Sequence, residues 1–373
     1  MLAHLTWTNA TGHNWLKYHY GAKRRGTCQE LRDRLVLPVF AAPMFLCSGP
    51  ALAAACCQAG IIGSLTRNHC RDIEELQAQL QAVTEAVARF KEAHPEAKIG
   101  PLAVNISPTF SGAEFREHLA LCRRFGVRII VTSVGDPSQN APLVHEYGLL
   151  HFHDATTVRF AEKAAAAGVD GIVAIGAGGG GHAGTISHLA FIPQIRAMFP
   201  GTVVMAGAVS TGAVVRAAEI LGADLAYMGT RFIATQESAA PEDYKQMLVA
   251  GGAADVIYTK GVNGLPASWL KASLRETGLD PDNLFIPAGR GTDHLPAGKT
   301  PWRDIWSGGQ GIALIHDIPS VAELVARLRE EYLTACAIPD MAASAAGADV
   351  AASAAGADVA ASAAGADVAA VSR

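Results

Sequence analysis

The sequence has no CxxC cysteine pair, and its number of cysteines is odd. A disulfide framework needs paired cysteines, and a structural zinc site needs ligands at short, regular spacings. The sequence therefore argues against both, and unpaired thiols predict a reducing, cytoplasmic location. The seven cysteines stand at positions 28, 47, 56, 57, 70, 122 and 336.

The chain also lacks an excess of positive charge. Its 373 residues carry 30 Lys and Arg against 34 Asp and Glu, so the formal net charge is −4. Domains that bind nucleic acid present basic stripes, so no nucleic-acid partner is expected. Hydrophobic residues make up 50% of the chain, which is enough to bury a large core.

No apolar run is long enough to cross a membrane. The longest stretch without a charged residue, 35–66, is divided by Pro38, Pro43, Gly49 and Gly60 into pieces shorter than a bilayer requires. No apolar run follows Met1, so the N-terminus does not resemble a signal peptide. The sequence predicts no membrane partner.

The C-terminal residues include hardly any large apolar side chains. The nonapeptide AASAAGADV occurs three times in tandem, at 342–350, 351–359 and 360–368. Such a composition cannot bury enough surface to offset the entropy cost of ordering, which predicts a disordered tail. A lone alanine-rich helix is the alternative, and the glycine of each repeat weakens it.

What the chain does contain is an alternation of short apolar runs and amphipathic segments. Strands that are apolar throughout are typical of a covered parallel sheet, and eight such units predict a (β/α)8 TIM barrel. A doubly wound open sheet is the alternative, although no GxGxxG follows the first strand. The predicted strands are 37–44, 61–66, 99–107, 127–135, 149–156, 170–178, 202–210 and 224–232. The predicted helices are 51–59, 72–94, 113–125, 157–167, 188–199 and 212–221.

These elements divide the chain into three parts. The predicted barrel occupies 35–338 and contains a helical insertion around 235–330. An N-terminal segment (1–34) precedes the barrel, and the low-complexity tail (339–373) follows it. Active sites of such barrels lie at the carboxyl ends of the strands, so the residues at those ends are the candidates for function.

The densest glycine run, Gly178–Gly181, follows the sixth predicted strand and leads into His182. The next two strand ends are also glycine-bearing, with AGAVSTG at 206–212 and MGTR at 228–231. Loops after late strands commonly bind phosphate in such barrels, because glycine lets backbone N–H groups approach the oxygens. The pattern predicts a phosphorylated cofactor or substrate, and the alternative is that the glycines only allow tight turns. His182 is then either a general base or a surface histidine that caps the following helix.

Seven motifs in order resemble those of the nitronate monooxygenase family, formerly called 2-nitropropane dioxygenase. The resemblance spans residues 35–330 and implies a (β/α)8 barrel with FMN at its mouth. It also implies a small helical extension near the C-terminus. The motifs are AAPM (41–44), AVN (103–105), TSVG (132–135), GGGGHAG (178–184), AGAVSTG (206–212), MGTRF (228–232) and SGGQG (307–311).

The resemblance implies a role for each residue that matches a family motif. His182, at the end of its GGH triplet, is the implied catalytic base, and Gln310 would approach the flavin from the SGGQG loop. Contacts with the flavin ring are implied for Pro43 and Met44, and polar contacts for Asn105 and Ser133. The residues implied to hold the FMN phosphate are Gly179, Gly180, Gly181, Gly207, Gly229 and Thr230.

The chain departs from the family pattern at two places. Many relatives carry Glu-Ala before GGH, where this chain has Gly178 and Gly179. Many carry AGG after the seventh strand, where this chain has Ala206, Gly207 and Ala208. Both changes are compatible with phosphate binding and leave the substrate class open.

His151 and His153 form an HxH pair on the fifth predicted strand. Residues two apart on a strand face the same side, and such a pair suits zinc. A metal-dependent hydrolase barrel would carry this pair on its first strand, so no metal is predicted. The alternative is that His153 or Asp154 lines the substrate cavity or that both are structural.

Two further segments carry competing hypotheses. A cysteine nucleophile among Cys47, Cys56 and Cys57 would need a nearby base, whereas cysteines in a short apolar helix are usually buried and structural. The segment 259–270 is predicted to be a loop that leads into a helix, with Trp269 as a cavity wall.

Three functions agree with these patterns. The first is FMN-dependent oxidation of alkyl nitronates by O2 to carbonyl compounds and nitrite, extended to nitroalkanes where His182 removes the α-proton. The second is an FMN-dependent NAD(P)H reductase of quinone or enoyl-thioester substrates. The third is a barrel that binds a phosphorylated metabolite without redox chemistry. A small-molecule substrate and O2 are the expected partners, and a homodimer is left open.

Overall fold

The structure is a computed structural model that describes residues 26–337. The predicted N-terminal segment is therefore described only from residue 26, where a helix begins. The predicted repeat tail at 339–373 lies outside the described residues. Every helix among residues 26–337 is too short or too polar to span a bilayer.

A closed parallel sheet forms the centre of the molecule. Its neighbours run in the order β1-β9-β8-β6-β5-β4-β3-β2, and a bridge between Phe40 and Ile62 joins its two edges. The fold is a (β/α)8 TIM barrel, and all eight predicted strands are confirmed. The strands are β1 (Val39–Ala41), β2 (Gly63–Thr66), β3 (Leu102–Asn105), β4 (Ile129–Thr132), β5 (Leu150–Ala155), β6 (Gly171–Ile175), β7 (Gly181–His182), β8 (Thr202–Ala206), β9 (Leu225–Met228), β10 (Val256–Thr259) and β11 (Ala267–Leu270).

Helices alternate with the barrel strands, and the six predicted ones are confirmed to within one residue at each end. Local signals fix these ends: the Asp72 side chain accepts a hydrogen bond from the N–H of Glu75, and Ser111 forms a capping box with Glu114. The helices are α1 (Gly26–Asp33), α2 (Pro50–Gln58), α3 (Ile73–Ala93), α4 (Gly112–Arg124), α5 (Asn140–Glu146), α6 (Val158–Ala166), α7 (His188–Met198), α8 (Gly212–Leu221), α9 (Thr230–Ile233), α10 (Glu242–Ala250), α11 (Lys271–Glu276) and α12 (Val321–Cys336).

Alternate residues of each strand point into the barrel, and the inward ones form its core. Phe40, Phe152 and Tyr227 are packed there, with 4.9 Å between the ring centroids of Phe40 and Tyr227. The outward residues pack against the helices. Because one face of each strand fills the barrel, polar side chains can enter its interior only at the ends of the strands.

The insertion predicted to be helical at 235–330 contains α10 and α11 but also a β-hairpin. The loop predicted at 259–270 is wrong at its end, because Ala267–Leu270 is the strand β11, and the helix predicted to follow is α11. This strand pairs with β10 on one side and with β7 on the other, and Trp269 is fully buried in it. Residues 251–309, called the cap below, thereby lie over one side of the barrel mouth, the end where the eight strands have their carboxyl ends.

Candidate active site

The glycine-rich strand ends meet at one side of the mouth, together with the last residues of the cap. Gly309 donates its N–H to Thr230 Oγ1 at 3.0 Å, and Gln310 donates its N–H to the carbonyl of Gly178 at 2.9 Å. These bonds connect the loops after β6 and β9 to the SGGQG segment. The glycine cluster formed in this way consists of Gly178, Gly179, Gly180, Gly207, Gly229, Gly308 and Gly309.

Most positions of the glycine cluster have little room for a side chain. A Cβ built on Gly180 would lie 3.0 Å from the nitrogen of Gly309 and 3.1 Å from Thr230 Oγ1. A Cβ on Gly207 would lie 3.1 Å from the nitrogen of Gly179, and one on Gly309 only 2.7 Å from a carbonyl oxygen. Backbone groups and the Thr230 hydroxyl therefore line this side of the mouth. Such a lining suits an anion bound by N–H groups.

The loop after β1 borders the glycine cluster. A Cβ on Gly229 would lie 3.6 Å from Met44 Sδ, and Met44 donates its N–H to Ser48 Oγ at 2.8 Å. Met44 and the preceding Pro43 are half-buried, so both keep accessible surface at the mouth. The structure thus brings the residues predicted for the flavin ring next to those predicted for the phosphate.

A polar chain stands at the adjacent ends of β3, β4 and β5. Asn105 donates from Nδ2 to Ser133 Oγ at 3.2 Å, and Ser133 donates to Asp154 Oδ2 at 2.6 Å. Burial raises the pKa of Asp154 to about 6, although the bond from Ser133 opposes this shift. Asn105 and Ser133 were predicted from motifs. Asp154 was predicted only as a cavity-lining or structural residue.

His182 lies on the cap side of the mouth. Its backbone pairs with Ala267, and its ring centroid is 5.2 Å from that of Trp302. The Nε2 atom is buried and has no hydrogen-bond partner among the described residues. Burial, and secondarily the positive charge of Arg290, lower the pKa of His182, so the ring is neutral at pH 7.

The alternative role of His182 as a helix cap is wrong. Helix α7 begins at His188, and Ser187 occupies its N-cap position. The cap instead holds the His182 loop in place, since Tyr258 donates its hydroxyl to the carbonyl of Ala183 at 2.9 Å. Sequence reasoning missed Tyr258 and Trp302, because nothing in their local pattern distinguishes them from ordinary surface aromatics.

His151 and His153 point away from the mouth, toward the helices outside the barrel. Thr132 Oγ1 lies 2.7 Å from His151 Nε2 and 2.7 Å from His153 Nδ1. The backbone of Gly135 is a further hydrogen-bond partner of His153. Among residues 26–337, no three His, Cys, Asp or Glu side chains are close enough to hold a metal ion.

This histidine pair predicts acid lability. Burial lowers the pKa of His151 to about 3 and that of His153 to about 4, whereas each unfolded ring titrates near 6.5. The unfolded chain therefore binds more protons between these values, and stability falls as the pH decreases through 6.5. We expect each ring to cost about 2 kcal/mol of unfolding free energy at pH 5 relative to pH 7.

Urea unfolding at pH 7 and pH 5 measures this loss. His151→Leu should remove about half of the difference between the two pH values, whereas His94→Gln, on an exposed side chain, should leave it unchanged. Equal unfolding free energies of the wild-type protein at both pH values would contradict the neutral pair.

The cysteines near the first strand are buried and protonated. Burial raises the pKa of Cys47 and of Cys57 to about 12 and holds that of Cys56 well above its ordinary value. Cys57 donates its S–H to the carbonyl of Pro101. A thiol must ionise to act as a nucleophile, so the structural interpretation of these residues holds.

Backbone strain is concentrated at the mouth and the cap. Within residues 26–337, four residues other than glycine adopt a positive φ, at 62° for Leu46, 64° for Val134, 54° for Ala208 and 63° for Trp302. Such a conformation costs a non-glycine residue roughly 1–2 kcal/mol. Ala208 follows Gly207 directly, so the loop after β8 contains two consecutive residues of positive φ.

The barrel, the glycine cluster and the buried imidazole meet at one mouth, where enzymes of this fold carry their active sites. Comparison with known proteins specifies the class. Residues 31–331 match the family model described as nitronate monooxygenase. The chain belongs to the nitronate monooxygenase family, and it is an oxidoreductase.

Individual relatives agree with this membership. A nitronate monooxygenase of Paraburkholderia phytofirmans is 29% identical over 79% of this chain and 92% of its own. The solved structure of a nitroalkane oxidase from Streptomyces ansochromogenes is 26% identical, with a TM-score of 0.64 over 82% of this chain and 99% of its own.

A third relative differs in its named activity. It is a Mycobacterium tuberculosis dehydrogenase of an octahydroindene-carboxyl-CoA, 28% identical over 64% of either chain. The shared stretch covers 42% of one curated relative and 95% of another, so some relatives are matched over less than half their length.

Proposed function

We propose that the protein is a cytoplasmic enzyme that oxidises alkyl nitronates with O2 to carbonyl compounds and nitrite, using FMN. The observation that carries this proposal is the position of His182, with its buried unpartnered Nε2, beside the glycine cluster. Membership of the nitronate monooxygenase family supports the same reaction class.

The residues at the mouth fit an FMN molecule. The cluster around Gly180 and Thr230 accepts only groups that backbone atoms can approach closely, as phosphate oxygens do. We propose that Gly179, Gly180, Gly181, Gly207, Gly229 and Thr230 hold the phosphate. Met44 and Pro43 would support the ring, while Gln310 would contact it from the SGGQG segment.

The polar chain and the cap would complete the site. Asn105 and Ser133, at the ends of β3 and β4, would offer polar contacts to the flavin ring. Trp302, packed 5.0 Å from buried Trp269, places an apolar wall beside His182 and excludes water. Bound FMN supplies the electron acceptor that takes electrons from the substrate carbon and returns them to O2.

His182 would move a proton only for one form of the substrate. A nitronate has already lost its α-proton, so it needs orientation and no base. A neutral nitroalkane still carries this proton, and the neutral Nε2 of His182 would remove it. The same site would thus oxidise both substrate forms, and only the neutral nitroalkane would need His182 as a base.

Anaerobic mixing tests the proposal. The purified protein should be yellow, an alkyl nitronate should bleach its flavin without O2, and air should restore the colour with release of nitrite. NADPH under the same conditions should bleach it slowly or not at all. Bleaching by NADPH alone would contradict the proposed reaction, and a colourless protein would favour a barrel without redox chemistry.

A flavin-dependent NAD(P)H reductase of quinone or thioester substrates is the second candidate. The similarity to the carboxyl-CoA dehydrogenase favours it, since that relative acts on a CoA thioester. The anaerobic experiment separates the two candidates by which of the two reductants is consumed.

A further inference from the structure

Asp154 has a buried carboxyl oxygen with no hydrogen-bond partner among the described residues, namely Oδ1. Phe152 fills the barrel interior, and side chains two residues apart on a strand share a face. Asp154 therefore stands one layer above Phe152, facing the barrel axis at the mouth. Burying a charged carboxylate without a cation close by costs free energy, so this environment favours the protonated carboxyl group.

The hydrogen-bond directions around Asp154 decide where that proton sits. Asn105 Nδ2 donates both to the carbonyl of Val131 and to Ser133 Oγ, each at 3.2 Å. The atom facing Val131 must be nitrogen, because a carbonyl oxygen only accepts. Ser133 thus receives a hydrogen bond from Asn105 and gives its own proton to Asp154 Oδ2. Since Oδ2 is used as an acceptor, the proton of the neutral acid must lie on Oδ1.

From these directions we propose that Asp154, in its protonated form, donates a hydrogen bond from its Oδ1–H to a ring carbonyl or ring nitrogen of the bound flavin. The inference rests on the proposed function, because it takes the flavin to occupy the mouth. The chain from Asn105 through Ser133 acts as the positioning device, since it holds Oδ2 as an acceptor. The nitrogen atoms and carbonyl oxygens at the edge of the flavin ring would accept the hydrogen bond from this proton.

The surroundings of Asp154 agree with a neutral acid. Burial raises its pKa to about 6, well above the value of about 3.9 for an exposed aspartate. Tyr227, across the barrel, is the titratable group that faces Asp154: burial raises the pKa of Tyr227, and the charge of Asp154 adds a smaller rise. His153 lies on the outer face of the same strand, and Ser133 is the uncharged neighbour on β4. No cation faces the carboxyl from these elements.

Such a donor would stabilise the reduced ring. Reduction adds negative charge to the hetero-atom edge, so a hydrogen bond from Oδ1 favours the reduced form. At pH 5, where Asp154 keeps its proton, Asp154→Ala removes the donor and should make reduction of the flavin about tenfold less favourable, which is about 30 mV for a two-electron couple. Asp154→Asn keeps an N–H donor and should stay close to wild type at pH 5.

The pH dependence separates the acid from a plain structural group. The reduction potential of the flavin in the wild-type protein should fall more steeply than that of Asp154→Asn as the pH rises through about 6. Asp154 then ionises and places a negative charge beside the ring. Asp154→Asn should lack this step. Glu117→Gln, on an exposed residue of α4, should behave like wild type.

A second measurement needs no flavin. Urea unfolding of the flavin-free protein should show the wild-type folding constant falling about thirtyfold relative to that of Asp154→Asn as the pH rises from 4 to 6. The unfolded aspartate ionises in this window while the folded one keeps its proton, and the histidine pair is common to both proteins.

The unfolding measurement and the potential measurement test different parts of the proposal. Parallel unfolding profiles of wild type and Asp154→Asn would overturn the neutral acid, whatever the enzyme does. Different profiles with equal flavin potentials in wild type and Asp154→Ala would overturn the bond to the ring. A protein that binds no flavin would refute the proposed function, and the unfolding arm would still decide the protonation of Asp154.

Discussion

Replacement of His182 by asparagine is expected to lower the turnover of neutral nitroalkanes by about 10²–10⁴-fold, the usual contribution of a general base. Turnover of preformed nitronates should change far less, because their α-proton is already gone. FMN should remain bound, since the proposed phosphate contacts are backbone groups. Steady-state assays with both forms of one nitroalkane measure the contrast directly.

The pH profile provides a second readout for the same residue. The base must be neutral to act, and burial lowers its pKa below the ordinary 6.5. Wild-type turnover of nitroalkanes should therefore be constant above pH 6.5 and fall below it. His145→Asn, an exposed histidine 2.8 Å from Asp170 at the far end of the barrel, is the matched control and should leave the profile intact.

Equal losses on both substrate forms would remove the base assignment and leave His182 as a binding residue. Unchanged turnover of both forms would show that the imidazole takes no part in the reaction. If the wild-type enzyme oxidises neither form and consumes NAD(P)H, the reductase candidate applies instead.

The barrel was predictable because each of its signals is local. Apolar strands such as β8 (Thr202–Ala206) are buried along their whole length, and residues such as Asp72 and Ser111 mark helix starts within a single turn. The convergence of the glycine loops followed from the fold alone, because the carboxyl ends of all eight strands meet at one mouth.

The rest of the site depends on contacts between distant parts of the chain. Strand β11 was missed because its pairing with Gly181–His182 joins residues that are far apart in sequence, and a short segment such as ASWL carries no turn signal for that partner. The outward direction of His151 and His153 depends on strand register, where a shift of one residue reverses every side chain. The bond from Ser133 to Asp154 likewise exists only once two strands are paired.

Gly180→Val is expected to give a folded but colourless protein. Its Cβ would lie 3.0 Å from the nitrogen of Gly309 and 3.1 Å from Thr230 Oγ1, so the valine side chain would displace the bond between these two residues. Gly180 does not adopt a positive φ, so the effect is steric and not a strained backbone. Flavin absorbance per mole of purified protein measures the loss.

The matched control is Gly289→Val, because a Cβ at Gly289 meets no atom within 4 Å and its φ is also not positive. This variant should keep its full flavin content, and both variants should unfold at nearly the same temperature once flavin is removed from the control. Yellow Gly180→Val protein would show that the phosphate lies elsewhere. Cofactor released from the wild type by heat should run as FMN on chromatography. Release of FAD would contradict a site built around a single phosphate.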